Sequence, residues 1–211
     1  MKINEIFKSI QGESSYAGLP CVFIRTTACN LRCGWCDTAY AFHEGEEQPI
    51  EKILETVRQL GGRYVEVTGG EPLLQEEVYP LIRALLDEHY HVLVETGGSL
   101  AIDRLDSRAT VIMDIKCPGS GMDQTVCWEN LQHLKVGDEV KFVIADRGDY
   151  VWARTIIAQY PTLQDRCVLF SPVFGQMAPQ ALAEWILADN LSVRMQLQMH
   201  KYIWDPVMRG V

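Results

Sequence analysis

Two hydrophobic periods alternate along this chain. Short apolar runs with the look of strands cover residues 21–26, 64–68, 91–96, 110–115, 140–145 and 167–171. Between them the apolar spacing switches to three and four. Ile50, Ile53, Leu54, Val57 and Leu60 fall on one helical face, with charged residues between them and Gly61-Gly62 as a stop. Val78, Leu81, Ile82, Leu85 and Leu86 mark a second helix, residues 150–159 a third, and Ala181, Leu182, Trp185 and Ile186 a fourth. Val193, Met195, Leu197 and Met199 alternate with polar partners, which predicts a last strand ending near His200. Ahead of all these, residues 3–7 suit a short strand and residues 9–14 a polar loop, while residues 201–211 read as an irregular tail.

Strands alternating with helices imply βαβ units and a mostly parallel sheet, so the predicted fold class is α/β. In such a sheet the C-terminal ends of the strands share one edge, where α/β folds build their sites. Six polar clusters lie at or just past predicted strand ends. They are the cysteine-rich stretch after residue 26, Thr68-Gly69-Gly70-Glu71, Glu95, Asp114-Ile115-Lys116, Ser171 and His200. Their convergence predicts a pocket.

Composition narrows the class. With 211 residues, 47% hydrophobic, the chain is sized for one domain spanning residues 1–211, and no repeat or linker divides it. Seven cysteines are an odd number, and their clustering does not resemble a secreted disulfide framework. The N-terminus turns polar at once, and no apolar run approaches the ~20 residues needed to span a bilayer. A reducing cytoplasm and no membrane contact are expected. A net charge of −9 with scattered Lys and Arg argues against direct nucleic-acid binding and for a small-molecule enzyme.

The chemistry concentrates in Cys29-Asn30-Leu31-Arg32-Cys33-Gly34-Trp35-Cys36-Asp37-Thr38, where three thiols follow the spacing C-x3-C-x2-C. Three soft thiolates suit zinc, copper(I) or an iron–sulfur cluster. A four-iron cluster normally takes four cysteines, so three leave one iron open to an exogenous ligand. Structural zinc is the alternative, although it usually takes four protein ligands and no second C-x2-C exists. Gly69-Gly70 is either a plain turn or a place where backbone meets a ligand closely. Asp37-Thr38 reads as a helix cap or as a ligand to a hard cation such as Mg²⁺. Arg25, a charge inside an apolar strand, needs an ion pair or a substrate carboxylate. Glu95 and His200 are candidates for contact with a heterocycle. Cys21 and Cys167 suit the core, and Cys117 follows Lys116 at the functional edge.

The cysteine spacing, the aromatic Trp35 before the third thiol, and Thr68-Gly69-Gly70-Glu71-Pro72 together resemble the radical S-adenosylmethionine (SAM) superfamily. That resemblance implies a curved, incomplete (β/α) barrel, a [4Fe–4S] cluster on Cys29, Cys33 and Cys36, and SAM on the open iron. Within the superfamily, Ile10-Gln11-Gly12-Glu13, Arg25, Cys36-Asp37-Thr38 and His200-Lys201-Tyr202-Ile203 are similar to the 7-carboxy-7-deazaguanine synthase family. What this implies is ring contraction of 6-carboxy-5,6,7,8-tetrahydropterin, with hydrogen abstraction at C6, rearrangement and loss of ammonia.

Carried over by position, Trp35, Cys36, Asp37, Gly70, Glu71, Asp114, Ile115, Lys116, Ser171, Pro172, Val173 and Phe174 border SAM. Thr38 contacts Mg²⁺, and Ile10, Gln11, Gly12, Glu13, Arg25 and Thr68 meet the substrate, with Pro206 or Val211 closing its pocket; Glu95 and His200 join the substrate-binding set from their strand-end positions. Ser14 stands where many of that family have glycine, and Asp114-Ile115-Lys116 where many have Ser-Pro-Lys. The resemblance also implies a flavodoxin-like electron donor and a homodimer. An activase that installs a glycyl radical on a partner protein, and a non-enzymatic zinc- or cluster-binding module, are the competing readings.

Overall fold

The computed structural model describes residues 1–211. Nine strands form one open sheet: β1 (Lys2–Ile10), β2 (Pro20–Thr26), β3 (Glu46–Glu47), β4 (Tyr64–Gly69), β5 (His91–Thr96), β6 (Thr110–Asp114), β7 (Glu139–Ile144), β8 (Cys167–Pro172) and β9 (Arg194–Met195). Their order is β3-β1-β2-β4-β5-β6-β7-β8-β9. β1 pairs antiparallel with β2 and β3, and every pairing from β2 to β9 is parallel. The sheet does not close on itself, as an incomplete (β/α) barrel requires.

Helices α1 (Ile50–Leu60), α2 (Val78–Asp87), α3 (Arg147–Gln159) and α4 (Pro179–Ala188) agree with the periodicity of their sequences. Ile53, Leu54 and Val57 of α1 are buried, each contributing roughly 1.5–3 kcal/mol relative to exposure. Gly61, at φ +63°, ends that helix in a conformation few other residues adopt, and its N–H bonds the Val57 carbonyl. Asp146 caps α3 by accepting the Asp149 N–H. The crossovers from β5 to β6 and from β6 to β7 carry no α-helix. No helix is long and apolar enough to cross a membrane.

The strands have two different faces, because successive side chains point to opposite sides. Val22, Ile24, Val65, Val67, Val92, Val94, Met113, Val140, Phe142, Val168 and Phe170 belong to the main hydrophobic core with the helices. The alternate positions include Arg25, Glu66, Thr68, Glu95, Asp114, Lys141 and Ser171, above a layer of Phe23, Leu93, Ile112 and Leu169. One face is thus core and the other carries buried charge.

Two expectations need correction. β1 extends through Ser9 and Ile10, which the polar composition assigned to a loop, because pairing with β2 runs in register to Ile10 opposite Pro20. The predicted strand over 193–199 is only the two residues of β9, and His200 starts the short helix α5 (His200–Ile203). The alternation there misleads: Gln196 is buried and accepts the Ser14 N–H at 2.7 Å, whereas Leu197 is exposed.

Candidate active site

The cysteine loop leaves β2 through Ala28, whose φ of +80° is left-handed and strained for a residue with a Cβ. The strain is held by two bonds, Ala28 N–H to the Ala41 carbonyl at 2.9 Å and Glu71 N–H to the Ala28 carbonyl at 2.8 Å. Leu31 is buried, and Arg32 donates to the Cys29 and Leu31 carbonyls at 2.8 and 2.6 Å while stacking 4.3 Å from the Phe42 ring. Cys29 and Cys33 are half-buried, Cys36 is exposed, and none is in a disulfide. Burial pushes the Cys33 thiol up and nearby Lys116 pulls it down, with Cys36 and Cys29 close enough to add their own influence. No three His, Cys, Asp or Glu side chains are gathered tightly enough to cage a single metal ion. Cys117 is buried in the hydrophobic core, away from any ligand role.

The Thr68-Gly69-Gly70-Glu71 loop packs directly beneath. The expected SAM contact of Glu71 is not made by a free carboxylate: it is fully buried and accepts from Leu73 N, Gly97 N and Thr96 Oγ1 at 3.1, 2.8 and 2.9 Å. It therefore ties the loops after β4 and β5 together. Ile115 likewise turns its side chain into the core. Thr38 sits at the start of a single 3-10 turn without capping it, and donates to Asp37 Oδ1 at 2.8 Å.

Charged groups from five elements meet on the concave face. Lys141 Nζ lies 2.8 Å from Glu13, 2.5 Å from Glu95 and 3.4 Å from Asp114, and the other Glu95 oxygen accepts from Thr68 Oγ1 at 3.2 Å. Asp114 also binds Lys116 at 2.8 Å. Gln11 donates to Glu66 and accepts the Glu13 N–H at 3.0 Å. Burial opposes the charge on Glu13, but Lys141 and then His200 overcome it and hold that carboxyl at about 2. Burial and the neighbouring Glu95 push Glu66 the other way, well above the carboxylate range.

Arg25 binds Glu5 through Nε at 2.8 Å, and its two terminal nitrogens make no hydrogen bond to the protein. The structural ion pair and an open carboxylate site thus coexist in one side chain: the ion pair fixes the guanidinium and leaves its fork open. Glu5 is held in turn by Tyr40 Oη at 2.8 Å. From the chain's end, Gln198 donates to Glu13 at 3.0 Å, Lys201 donates to Gln198 at 2.9 Å, and Lys201 reaches Asp37 at 2.5 Å. This segment links the acidic floor to the cysteine loop.

A sequence model of the radical SAM superfamily matches residues 23–114, which span the cysteine loop and the glycine loop. The 7-carboxy-7-deazaguanine synthase of Chlorobaculum tepidum is 49% identical over 215 residues, covering 100% of this chain and 97% of that relative. The chain belongs to the 7-carboxy-7-deazaguanine synthase family. The relative of the same name from Koribacter versatilis is 45% identical over 227 residues, with full coverage of both chains. The fold is similar to the crystal structure of QueE from Escherichia coli, with a TM-score of 0.79, 23% identity and 94% of each chain covered.

Membership of this radical SAM family makes a [4Fe–4S] cluster and SAM its cofactors, and the residues fit them. Three free thiols on one short loop suit a cluster with one iron left open. Asp114 Oδ1 and Ser171 Oγ are buried polar atoms at the C-terminal edge with no hydrogen-bond partner in the protein, so both are free to bond a group bound there. Pro172 and Phe174 border a cleft of about 410 Å³ next to Ser171, with Leu197 and Tyr202 on its far wall. Val173 is buried behind them. Trp35 is half-buried on the cysteine loop, whereas Ile10 ends β1 opposite Pro20, at the start of β2 rather than at the edge that carries the cysteine loop.

Lys141, Glu66 and Gln198 were not among the residues the sequence pointed to, and neither was the pairing of Lys201 with Asp37. The signal for the first two lay in the alternation itself: Val65-Glu66-Val67 and Val140-Lys141-Phe142 each place a charge between core residues. The pairs made by Gln198 and Lys201 had none, since they depend on how the tail folds back.

Proposed function

We propose that this protein contracts the ring of 6-carboxy-5,6,7,8-tetrahydropterin to 7-carboxy-7-deazaguanine with loss of ammonia, a step in queuosine-type deazapurine biosynthesis. The observation that carries the reading is the complementarity of the pocket. The open fork of Arg25 suits a carboxylate bidentately, and the carboxylates of Glu13 and Glu95 suit the N–H edge of an aminopyrimidinone. Both lie on the edge that carries the cysteine loop.

The cluster and SAM, when bound, supply the radical that removes hydrogen from a C–H bond no side-chain base can deprotonate. The protein's own groups bind, orient and shield. Arg25 fixes one end of the substrate, Glu13 and Glu95 the other, and Thr68 and His200 flank them. Thr38 is the residue proposed to hold Mg²⁺ beside the substrate carboxylate, where a cation would act as Lewis acid and template. Of the two candidates for closing the pocket, Val211 fits better than Pro206. Its neighbour Gly210 lies near Glu5, the partner of Arg25, whereas Pro206 is exposed. An external reductant is required; a flavodoxin-like donor, a homodimer and a cytoplasmic location complete the reading.

Anaerobic turnover with 6-carboxytetrahydropterin, SAM and a strong reductant, followed by mass spectrometry, tests it. Wild type is expected to form 7-carboxy-7-deazaguanine, and Cys33→Ala to lose iron, sulfide and product together. Cleavage of SAM without any pterin-dependent product would overturn the substrate, and equal iron in both proteins would overturn the cluster assignment.

A further inference from the structure

Lys141 projects from β7 into a nest of acids. Only 4% of its side chain is exposed, and its ammonium meets Glu13 from the loop after β1, Glu95 from β5 and Asp114 from β6. Two of its protons go to Glu13 and Glu95 as hydrogen bonds, and Asp114 completes the ring of acids as an ion-pair partner at 3.4 Å. Glu13 and Glu95 each give one oxygen to Lys141 and the other to a single neutral donor, Gln198 or Thr68, which leaves lone pairs facing the pocket.

Four other charged or titratable groups face this nest: Glu66 from β4, Lys116 after β6, Arg25 from β2 and His200 from α5. Without Lys141, Glu13 would lose its main counter-charge while Glu66 and Glu95 stay close to it, and neighbouring acids favour the protonated form of a buried carboxyl. A protonated carboxyl spends one lone pair on its own hydrogen and repels the N–H groups it should receive.

We propose that Lys141 is a positioning residue for substrate recognition, holding Glu13 ionised and aiming Glu13 and Glu95 so that together they receive the N–H groups of the heterocycle. The proposal rests on the pterin reading above. It deepens that reading by assigning the acceptor edge of the pocket to a lysine that never touches the substrate. A lysine that only stabilised the fold would affect SAM and pterin binding alike and leave the pH dependence of each unchanged.

The test measures anaerobic binding of 6-carboxytetrahydropterin and of SAM to wild type, Lys141→Met and Lys141→Arg between about pH 5.5 and 8.5. Pterin affinity is read as the ratio of variant to wild type, which cancels the titration of the pterin itself. In Lys141→Met, Glu13 loses its main counter-charge and its carboxyl titrates at higher pH. The ratio is expected to fall about tenfold or more at the acid end and to recover as pH rises, with SAM affinity within about threefold of wild type. Lys141→Arg keeps the charge, so its ratio is expected to stay flat. A flat ratio in Lys141→Met, a pH-dependent one in Lys141→Arg, or equal losses of SAM and pterin would each overturn the proposal. Should Lys141→Met not fold, Lys141→Gln, which removes the charge and keeps a hydrogen-bonding side chain, carries the same pH measurement. Failure of wild type to bind the pterin at all would instead overturn the functional reading, and this role with it.

Discussion

Gly70 and Cys29 touch so closely that a side chain on one would displace the other. A Cβ at Gly70 would lie 2.7 Å from the Cys29 Cβ and 2.2 Å from the Ala28 carbonyl oxygen. The glycine loop after β4 is therefore the bed on which the cysteine loop rests. Its clash partner is backbone already strained at Ala28, so it cannot give way cheaply. Gly70→Ala is expected to fold, to bind less than about half the wild-type iron after reconstitution, and to weaken SAM binding about tenfold or more. Iron, sulfide and SAM affinity equal to wild type would show that the two loops are not coupled.

Gly12 plays a comparable part on the substrate side. A Cβ there would lie 2.2 Å from His200 Nδ1, and the Gly12 carbonyl accepts the Met199 N–H at 2.9 Å. The returning tail is thus docked on the loop after β1. Gly12→Ala should push His200 and Gln198 outward, cost roughly 1–3 kcal/mol of stability and weaken pterin binding more than SAM binding. Denaturant unfolding and the two binding constants, measured on the same preparation, check both parts.

How much of this was legible beforehand depends on the range of the interaction. The strands and helices around Val65, Ile53 or Phe170 were readable because local periodicity and burial agree there. The cysteine loop was readable because its thiols are adjacent in sequence. Lys141 was not, because its partners Glu13, Glu95 and Asp114 lie 128, 46 and 27 residues away (the last from 141 − 114), and nothing local announces them. The region 193–199 misled for a physical reason: Gln196 is buried to satisfy the Ser14 N–H, so the polar residue takes an inward position.

Ser14 itself has a left-handed φ of +64°, a backbone conformation that glycine adopts without strain. Serine tolerates the position with help: its N–H binds Gln196 and its Oγ accepts the Tyr16 N–H at 3.2 Å. Relief of strain and loss of that hydrogen bond oppose each other in Ser14→Gly, so stability should stay within about 1 kcal/mol of wild type. Ser14→Val keeps the strain, adds branching and loses the bond, and should cost about 2 kcal/mol or more. Equal stability of the two variants in urea would mean that the backbone relaxes out of this conformation.

Arg25 offers a separable measurement on the other side of the pocket. Its Nε is spent on Glu5, while its outer nitrogens are free to bind a carboxylate. Charge-assisted hydrogen bonds of this kind contribute roughly 1.5–3 kcal/mol, so Arg25→Ala should weaken pterin binding by about 10- to 150-fold and leave SAM within about threefold. Decarboxylated tetrahydropterin should bind wild type and Arg25→Ala alike, because it lacks the group the fork receives. A variant that discriminated against both pterins equally would place the role of Arg25 in the fold.

Glu13 gives the acid limit of the folded protein. Its folded carboxyl titrates at about 2, held down by Lys141 and His200 against the effect of burial, whereas an unfolded glutamate titrates near ~4.3. The folded value is the lower one, so the unfolded chain takes up this proton first as pH falls. The stabilisation is full above about pH 5 and is lost progressively between about 4.3 and 2. For a side chain 16% exposed, its size is on the order of 1–3 kcal/mol. Glu13→Gln carries no such proton, and its unfolding free energy should fall less steeply with pH across that window than that of wild type. Identical slopes in the two proteins would mean that Glu13 is not ionised against Lys141 in the folded state.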